Sequence, residues 1–415
     1  MPPTSDRHAS TASTSPLRIA VIGGGIGGLA AAAFLHRAHL DVTLYEQAAS
    51  LGEVGAGLVV SPNAARLVRR LGTFDAFLAK AVPLQVGWEF RRWDDGSVLF
   101  SQELGESCLR LYGEQTFTAH RADLVEVLRA AVPPERIRLG RRCVALEQTE
   151  HSVRIRFADG PAETADLVIG ADGIHSVVRN AVSVPQSVEY SGMCAYRAIV
   201  PATKAPAFAR AASQTLWIGP GHHLVHYPIS GGKAINLVAF APAGDFTTES
   251  WSSVGTTEEF LAEFEGWDHR LTELITAAPV PGRWALLDRA PLESWCAGRI
   301  GLLGDAAHPM FPFFAQGSAQ AIEDAAALAV CLTAGTDSPQ QALKTYERMR
   351  MDRVTTIQTM SHARKDINHL PDGPAQEARD ARLVHEDPLE HNRWLYGYDA
   401  EAEAIEALKT MTLKR

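Results

Sequence analysis

Apolar residues change their spacing along this chain, and that change divides it. Arg18–Ile22 is a short apolar run of the kind found in a strand buried on both faces. A cluster of glycines interrupts it, residues 29–38 continue with helical spacing, and Asp41–Tyr45 is a second strand. Strand, helix and strand in that order predict a parallel pair with the helix crossing over one face. Residues 61–80 carry apolar positions at Leu67, Leu71 and Phe74, with Pro62 suited to a first turn, and predict one helix. Val86–Arg92 and residues 97–100 flank Asp94-Asp95-Gly96 as a hairpin. Residues 121–131 are helical, 144–150 and 152–157 form another hairpin, and 166–170 return to a buried strand.

The period then shifts from helical to alternating. Between about Tyr190 and Leu287 the runs 194–200, 215–218, 223–227 and 234–240 are β-branched and aromatic, with Gly and Pro between them and one helix near 258–264. Residues 300–303 make a further buried strand, followed by a helix at 318–333. The tail from Gln341 is helical and charged, broken at Pro371 and Pro374. An α/β domain built from separated stretches, with a mainly antiparallel sheet inserted, accounts for this order.

Composition narrows the classes. At 415 residues the chain suggests about two domains, and 46% hydrophobic with 21% charged residues is the balance of a soluble globular protein. A net charge of −9 favours neither nucleic acid nor an anionic membrane surface. Residues 18–35 superficially suggest a signal peptide or membrane helix, but five glycines among residues 23–28 would make a poor continuous helix. Cys108, Cys143, Cys194, Cys296 and Cys331 are odd in number and scattered, so free buried thiols, a cytoplasmic location and no metal site are expected. Residues 1–16, rich in Ser, Thr, Ala and Pro, are expected to be a flexible tail.

The chemistry begins at Gly23-Gly24-Gly25-Ile26-Gly27-Gly28, a GxGxxG motif directly after a strand and opening a helix. Gly23 permits the tight turn, Gly25 admits a pyrophosphate to the backbone, and Gly28 lets helix and strand pack closely. The helix N-terminus adds amide donors and positive dipole. Glu46, closing the next strand, stands where a carboxylate accepts ribose hydroxyls. This pattern alone does not separate NAD from FAD. Two later motifs bear on the choice: Gly170-Ala171-Asp172-Gly173-Ile174-His175-Ser176-Val177-Val178-Arg179, and Gly301-Leu302-Leu303-Gly304-Asp305-Ala306-Ala307-His308-Pro309. With them the chain resembles the single-component FAD-dependent aromatic hydroxylases. The salicylate hydroxylase, 3-hydroxybenzoate 6-hydroxylase and 6-hydroxynicotinate 3-monooxygenase types are nearest, and the resemblance runs from about Arg18 to Thr345.

That resemblance implies a Rossmann-like FAD-binding domain (17–80, 110–187, 287–340), an inserted β-sheet substrate domain (81–109, 188–286) and a C-terminal helical segment (341–415). It implies an NAD(P)H-dependent monooxygenase in which NADH or NADPH reduces the flavin transiently. Oxygen then forms a flavin C4a-hydroperoxide that hydroxylates a phenolic or hydroxylated N-heteroaromatic acid. Asp305 would contact the ribityl chain, and Asp172, with Arg179 matching the motif's arginine, would serve FAD and nicotinamide binding. Arg121, within the matching segment His120-Arg121-Ala122-Asp123-Leu124, would approach the ribityl and pyrophosphate. Residues Gln316-Gly317-Ser318 open a helix; if that end points at the flavin, its amides and dipole would favour negative charge on the reduced ring. Gly55-Ala56-Gly57 would let backbone approach the ring edge.

On the inserted sheet, strand alternation puts His223, Val225 and Tyr227 on one face. The 6-hydroxynicotinate type carries a catalytic histidine and tyrosine at the same spacing, which makes His223 the candidate base or anchor and Tyr227 its orienting partner. Pro312 fits the family's flavin-adjacent proline, and Phe313 and Phe314 are candidates to stack on substrate. Phe313 replaces a polar Gln or His of those relatives, and the apolar wall keeps open a same-fold oxygenase or epoxidase acting on a larger apolar substrate. A flavin-binding protein without turnover is the third alternative. No second dinucleotide motif, as in disulfide reductases or Baeyer–Villiger enzymes, is present. The C-terminal segment would cover the substrate site, build a homodimer, or do both.

Overall fold

The computed structural model describes residues 16–52, 56–184, 189–244, 254–334, 338–385 and 387–413. Arg18–Ile22 lies at the centre of a six-stranded sheet, parallel to Asp41–Tyr45 on one side and Leu167–Gly170 on the other. Ile300–Leu302 and Ile137–Arg138 extend it in parallel, and Cys296–Ala297 closes one edge antiparallel. Stretches more than a hundred residues apart thus meet in one sheet, with Ile22 paired to Gly170 and Gly170 to Leu302. Strand ends that carry the glycine turn, the Asp172 loop and the Asp305 loop are therefore neighbours.

The helix Ile26–Arg37 buries Ala30 to Ala33 almost completely. Such small side chains let the alanine-rich helix Gly317–Thr333 pack closely beside it. Side chains added at Gly27 would meet Leu303 Cδ1 at 2.8 Å and Ala321 Cβ at 3.2 Å.

A seven-stranded sheet makes the second layer, in the order Gly282–Asp288, Glu189–Pro201, Ala234–Pro242, His222–Ile229, Ser213–Gly219, Val86–Arg92, Val98–Glu103. All neighbours are antiparallel except Ser213–Gly219 with Val86–Arg92, which run parallel. One face, with Tyr196, Trp217, Leu224 and Leu237, packs on the helices Thr257–Glu263 and His269–Thr276. The opposite face carries Phe90, Leu216, Val225, Tyr227, Val238 and Phe240 and meets the loop at Phe311 and Phe313.

Local departures from the sequence expectations have physical causes. The single helix expected over 61–80 is two, Pro62–Arg70 and Phe74–Leu78, because Gly72 turns the chain with φ +77°. The helix His269–Thr276, capped by the Asp268 carboxylate, was not anticipated. Strands Cys143–Gln148 and Val153–Phe157 gain a third partner, Glu163–Ala165. The tail opens with a 30-residue helix, Pro339–Asn368, and Pro374 starts the next helix, Pro374–Leu383. Leu389, Leu395 and Tyr396 then pack on Leu84, Leu104, Cys108 and Tyr112 beside the sheet. All five cysteines are free and buried. No helix among the described residues is long and apolar enough to cross a membrane, and none of their acidic, histidine and cysteine side chains cluster as a metal site.

Candidate functional site

The three motif glycines do different work. Gly23 holds φ +109°, and a Cβ there would fall 2.3 Å from the Ala171 carbonyl oxygen. A Cβ on Gly28 would fall 1.9 Å from the Gly23 oxygen, so the helix can approach its own loop only without a side chain. Around Gly25 a Cβ would meet nothing within 4 Å, so the turn is open there. Open space before a helix N-terminus suits a pyrophosphate. Glu46 lies against the turn, accepting from Gly24 N at 2.6 Å and Ala48 N at 2.7 Å.

Asp172 is turned back on its own loop, accepting from the Ser176 hydroxyl and from Val177 N at 2.8 Å and Val178 N at 3.2 Å. Burial outweighs these bonds and raises its carboxyl above the ordinary value. Its visible contribution is the shape of the loop. Arg179, almost fully buried, ties this loop to the next motif: it donates to Ile174 O at 3.0 Å, Ala306 O at 2.7 Å and Asp305 O at 2.6 Å. Burial lowers its guanidinium to about 10. The Asp305 side chain is left exposed at the end of the strand, free for polyol hydroxyls.

Arg121 begins the helix Arg121–Ala130, with its backbone N–H bonded to Ala56 O at 2.8 Å. Gly57 pairs with His120, donates to Asn236 Oδ1 at 2.7 Å and leaves no room for a side chain beside Asn236. Asn236 Nδ2 is then buried without a partner. Gly55 lies outside the described residues. Arg197 shares the sheet face with Tyr227 and stacks on Trp284 with Cζ 4.8 Å from the ring centre. Burial lowers Arg197 to about 10, Tyr227 opposing the shift and Arg121 adding to it.

His223 is 1% exposed. It stacks on Phe240 at 4.5 Å and meets Phe313 edge-on at 5.2 Å. Its Nδ1 lies 2.6 Å from Nε2 of His369, at the C-terminal end of the 30-residue helix. Burial first, then the neighbouring His369 and His222, keep the His223 imidazole well below its ordinary value, so it is neutral. Burial raises the Tyr227 hydroxyl to about 12 and keeps it protonated. Sequence reasoning missed His369: it lies 146 residues from its partner, and no local pattern marks a contact made by a tail.

Pro312–Phe314 is one tight turn, ended by Ala315 at φ +51°, and Gln316 caps the helix Gly317–Thr333. Gly317 and Ser318 are half-buried at its tip. The tip is anchored from below. Gln316 donates to Ser61, Asn63 donates to Gln316 and Glu323, and Glu323 and Asp324 accept from Arg350 at 2.6 and 2.8 Å, all three ionic groups fully buried. Burial alone would raise the Glu323 carboxyl, but Arg350 and Arg353 outweigh it and hold it below the usual range. His308 completes the set on Asp324 at 2.6 Å. Between Phe313, Phe314, the sheet face and the C-terminal helices lies a cavity of about 290 Å³. The site residues thus form a glycine turn, two loops clamped by Arg179, and a helix tip beside the histidine strand.

A family model described as FAD binding domain matches residues 17–361. The chain belongs to this family of FAD-dependent hydroxylases. It is 42% identical to the 3-amino-4-hydroxybenzoate 2-monooxygenase PtnB3 of Streptomyces platensis, over 94% of this chain and 98% of that one. It is 35% identical to the 6-hydroxynicotinate 3-monooxygenase of Pseudomonas fluorescens, over 93% and 96%. Among solved structures it is similar to Klebsiella pneumoniae HpxO complexed with FAD and uric acid, with TM-score 0.81, 27% identity, and 92% and 96% covered. This flavoprotein is therefore a monooxygenase with FAD as its cofactor. The open space at Gly25, the exposed Asp305 carboxylate and the unpartnered Asn236 amide beside Gly57 are suited to that group.

Proposed function

We propose that this monooxygenase hydroxylates a phenolic or hydroxylated N-heteroaromatic carboxylic acid, using NADH or NADPH and O2, and that 3-amino-4-hydroxybenzoate is the first substrate to try. The observation that carries the reading is the buried, neutral His223 between Phe240 and Phe313, on the sheet face that meets the loop at Phe311 and Phe313. Gly23, Gly25, Gly28, Glu46, Arg121, Asp305 and the helix tip at Gly317 and Ser318 would hold FAD, with Asp172 shaping the loop beside it. Bound FAD supplies the redox chemistry, accepting reducing equivalents from the nicotinamide and delivering one oxygen atom of O2.

The remaining work belongs to side chains. A phenol is attacked most readily as its phenolate, so its proton must leave. The 2.6 Å contact of His223 Nδ1 with His369 Nε2 is compatible with either tautomer; in the one with the proton on His223 Nδ1, Nε2 carries the lone pair and takes the substrate's proton. His369, half-buried at a helix end, offers a route outward. Tyr227, still protonated, serves as hydrogen-bond donor to the ring oxygen. Phe90, Phe100, Leu216 and Phe313 give the cavity one apolar wall, which would limit water on that side of a bound ring. The test is product mass after turnover under isotopically labelled O2. One labelled oxygen atom on the ring per NAD(P)H oxidised supports the reading, and NAD(P)H oxidation with every phenolic acid unchanged refutes it.

A further inference from the structure

We infer that Arg364 is the carboxylate anchor of the substrate cavity, with Arg382 at its mouth; this rests on the proposed reading that the substrate is an aromatic acid. The cavity has an apolar floor, Phe90, Phe100 and Leu216, and among its described lining residues there is no Asp or Glu, whereas Arg364, Arg379 and Arg382 all reach it. Arg379 is committed elsewhere, to the Asp380 carboxylate at 2.8 Å and Ile367 O at 3.0 Å. Arg364 is half-buried and makes no hydrogen bond or ion pair among the described residues; its guanidinium lies 5.9 Å over the Phe314 ring. A half-buried cation beside an apolar wall, with no carboxylate in the described lining, lacks a charge partner, and a planar guanidinium matches a carboxylate in two-pronged geometry.

The position also orients the ligand. Phe313 touches His223, and the next residue, Phe314, lies under Arg364. His223 is not among the described residues lining the cavity; Phe313 lines it and also meets His223, so a ring seated along Phe313 and Phe314 would have the guanidinium at one end and, across Phe313, the base at the other. Arg364 and His369 sit on one helix end, so a single element fixes the anchor relative to the partner of the base. The inserted sheet supplies the base, and the C-terminal helix reads the acid.

The experiment compares FAD-loaded wild type, Arg364→Gln, Arg364→Lys and Arg382→Gln. Binding of 3-amino-4-hydroxybenzoate and of its neutral carboxamide is read from perturbation of the flavin absorbance. Arg364→Gln is expected to raise Kd for the acid by about 10- to 100-fold, the range of one charge-assisted contact, while the amide changes less than about twofold. Arg364→Lys restores part of the loss, and Arg382→Gln weakens the acid by about threefold through loss of long-range attraction. Equal weakening of acid and amide, or unchanged acid binding, overturns the anchor while leaving the hydroxylase reading intact. If wild type binds neither this acid nor any other hydroxylated aromatic acid, the hydroxylase reading falls and the anchor with it.

Discussion

A pair of glycine substitutions separates folding from cofactor binding. In Gly28→Ala the new methyl lies 1.9 Å from the Gly23 carbonyl oxygen, a backbone atom that cannot swing away as a flexible side chain would. Van der Waals contact needs more than an ångström of further separation, so the turn or the helix must shift. Overpacking of this kind costs about 1–3 kcal/mol. At about 2–4 °C per kcal/mol for a large domain, the apoprotein Tm falls by roughly 2–12 °C. In Gly25→Ala the methyl meets no protein atom within 4 Å, so apoprotein Tm should move by less than about 2 °C, the size of a change at a helix N-cap. That methyl would stand in the open space proposed for the pyrophosphate, and FAD affinity should drop about 100-fold, equivalent to about 3 kcal/mol. Thermal unfolding of the apoproteins and quenching of flavin fluorescence on titration read the two quantities separately. If Gly25→Ala binds FAD as wild type does, or Gly28→Ala melts as wild type does, the assignment of tasks to the two glycines is wrong.

Other substitutions test the surroundings. Arg179→Met removes three bonds to carbonyls of two loops and should lower stability by about 3 kcal/mol in chemical denaturation, with faster FAD release. Arg350→Met leaves Asp324 with only His308 and the Gly304 N–H, and Glu323 with Arg353 and Asn63, in the interior, and should cost about 3–5 kcal/mol, read the same way. His226 is buried on the far sheet face with neither ring nitrogen bonded, so His226→Leu should raise stability by about 1 kcal/mol. Burial, with Arg91 adding to it, lowers His226 to about 3, and burial first lowers His369 to about 4, both from 6.5. Below pH 6.5 the unfolded chain therefore binds more protons than the folded one, and stability falls as pH is lowered from about 6.5 toward 4. His226→Leu should shrink that slope by close to one proton. His369→Phe should slow substrate-dependent turnover about tenfold and alter its pH profile while leaving FAD affinity unchanged, and an unaltered profile removes His369 from the proton path.

Much of the fold is legible because it is carried by local patterns. Period-two alternation marks the histidine strand, and the glycine turn declares itself between a buried strand and a helix. The contact of Phe313 with His223 was not legible: the resemblance marked Phe313 only as a substitute for a polar residue that could stack on substrate. The rest depends on contacts between distant residues. Nothing near Arg179 in sequence shows that it reaches the carbonyls of Asp305 and Ala306, 126 and 127 residues away. Asn63, Glu323, Asp324 and Arg350 look like ordinary helical polar residues until three helices bring them together around one buried ion network. The parallel pairing of Ser213–Gly219 with Val86–Arg92 is likewise a property of the whole sheet. His369 and Arg364 lie in a charged helical tail whose composition resembles any solvated helix.

The most direct test of the account is rapid mixing of the FAD-loaded enzyme with NADH or NADPH, following loss of the flavin absorbance band with and without 3-amino-4-hydroxybenzoate. The site described here predicts that one of these nicotinamides reduces the flavin at least tenfold faster when the acid is present, and that His223→Ala loses most of that acceleration. A flavin reduced at one rate whether or not this or any related hydroxylated acid is bound would contradict it.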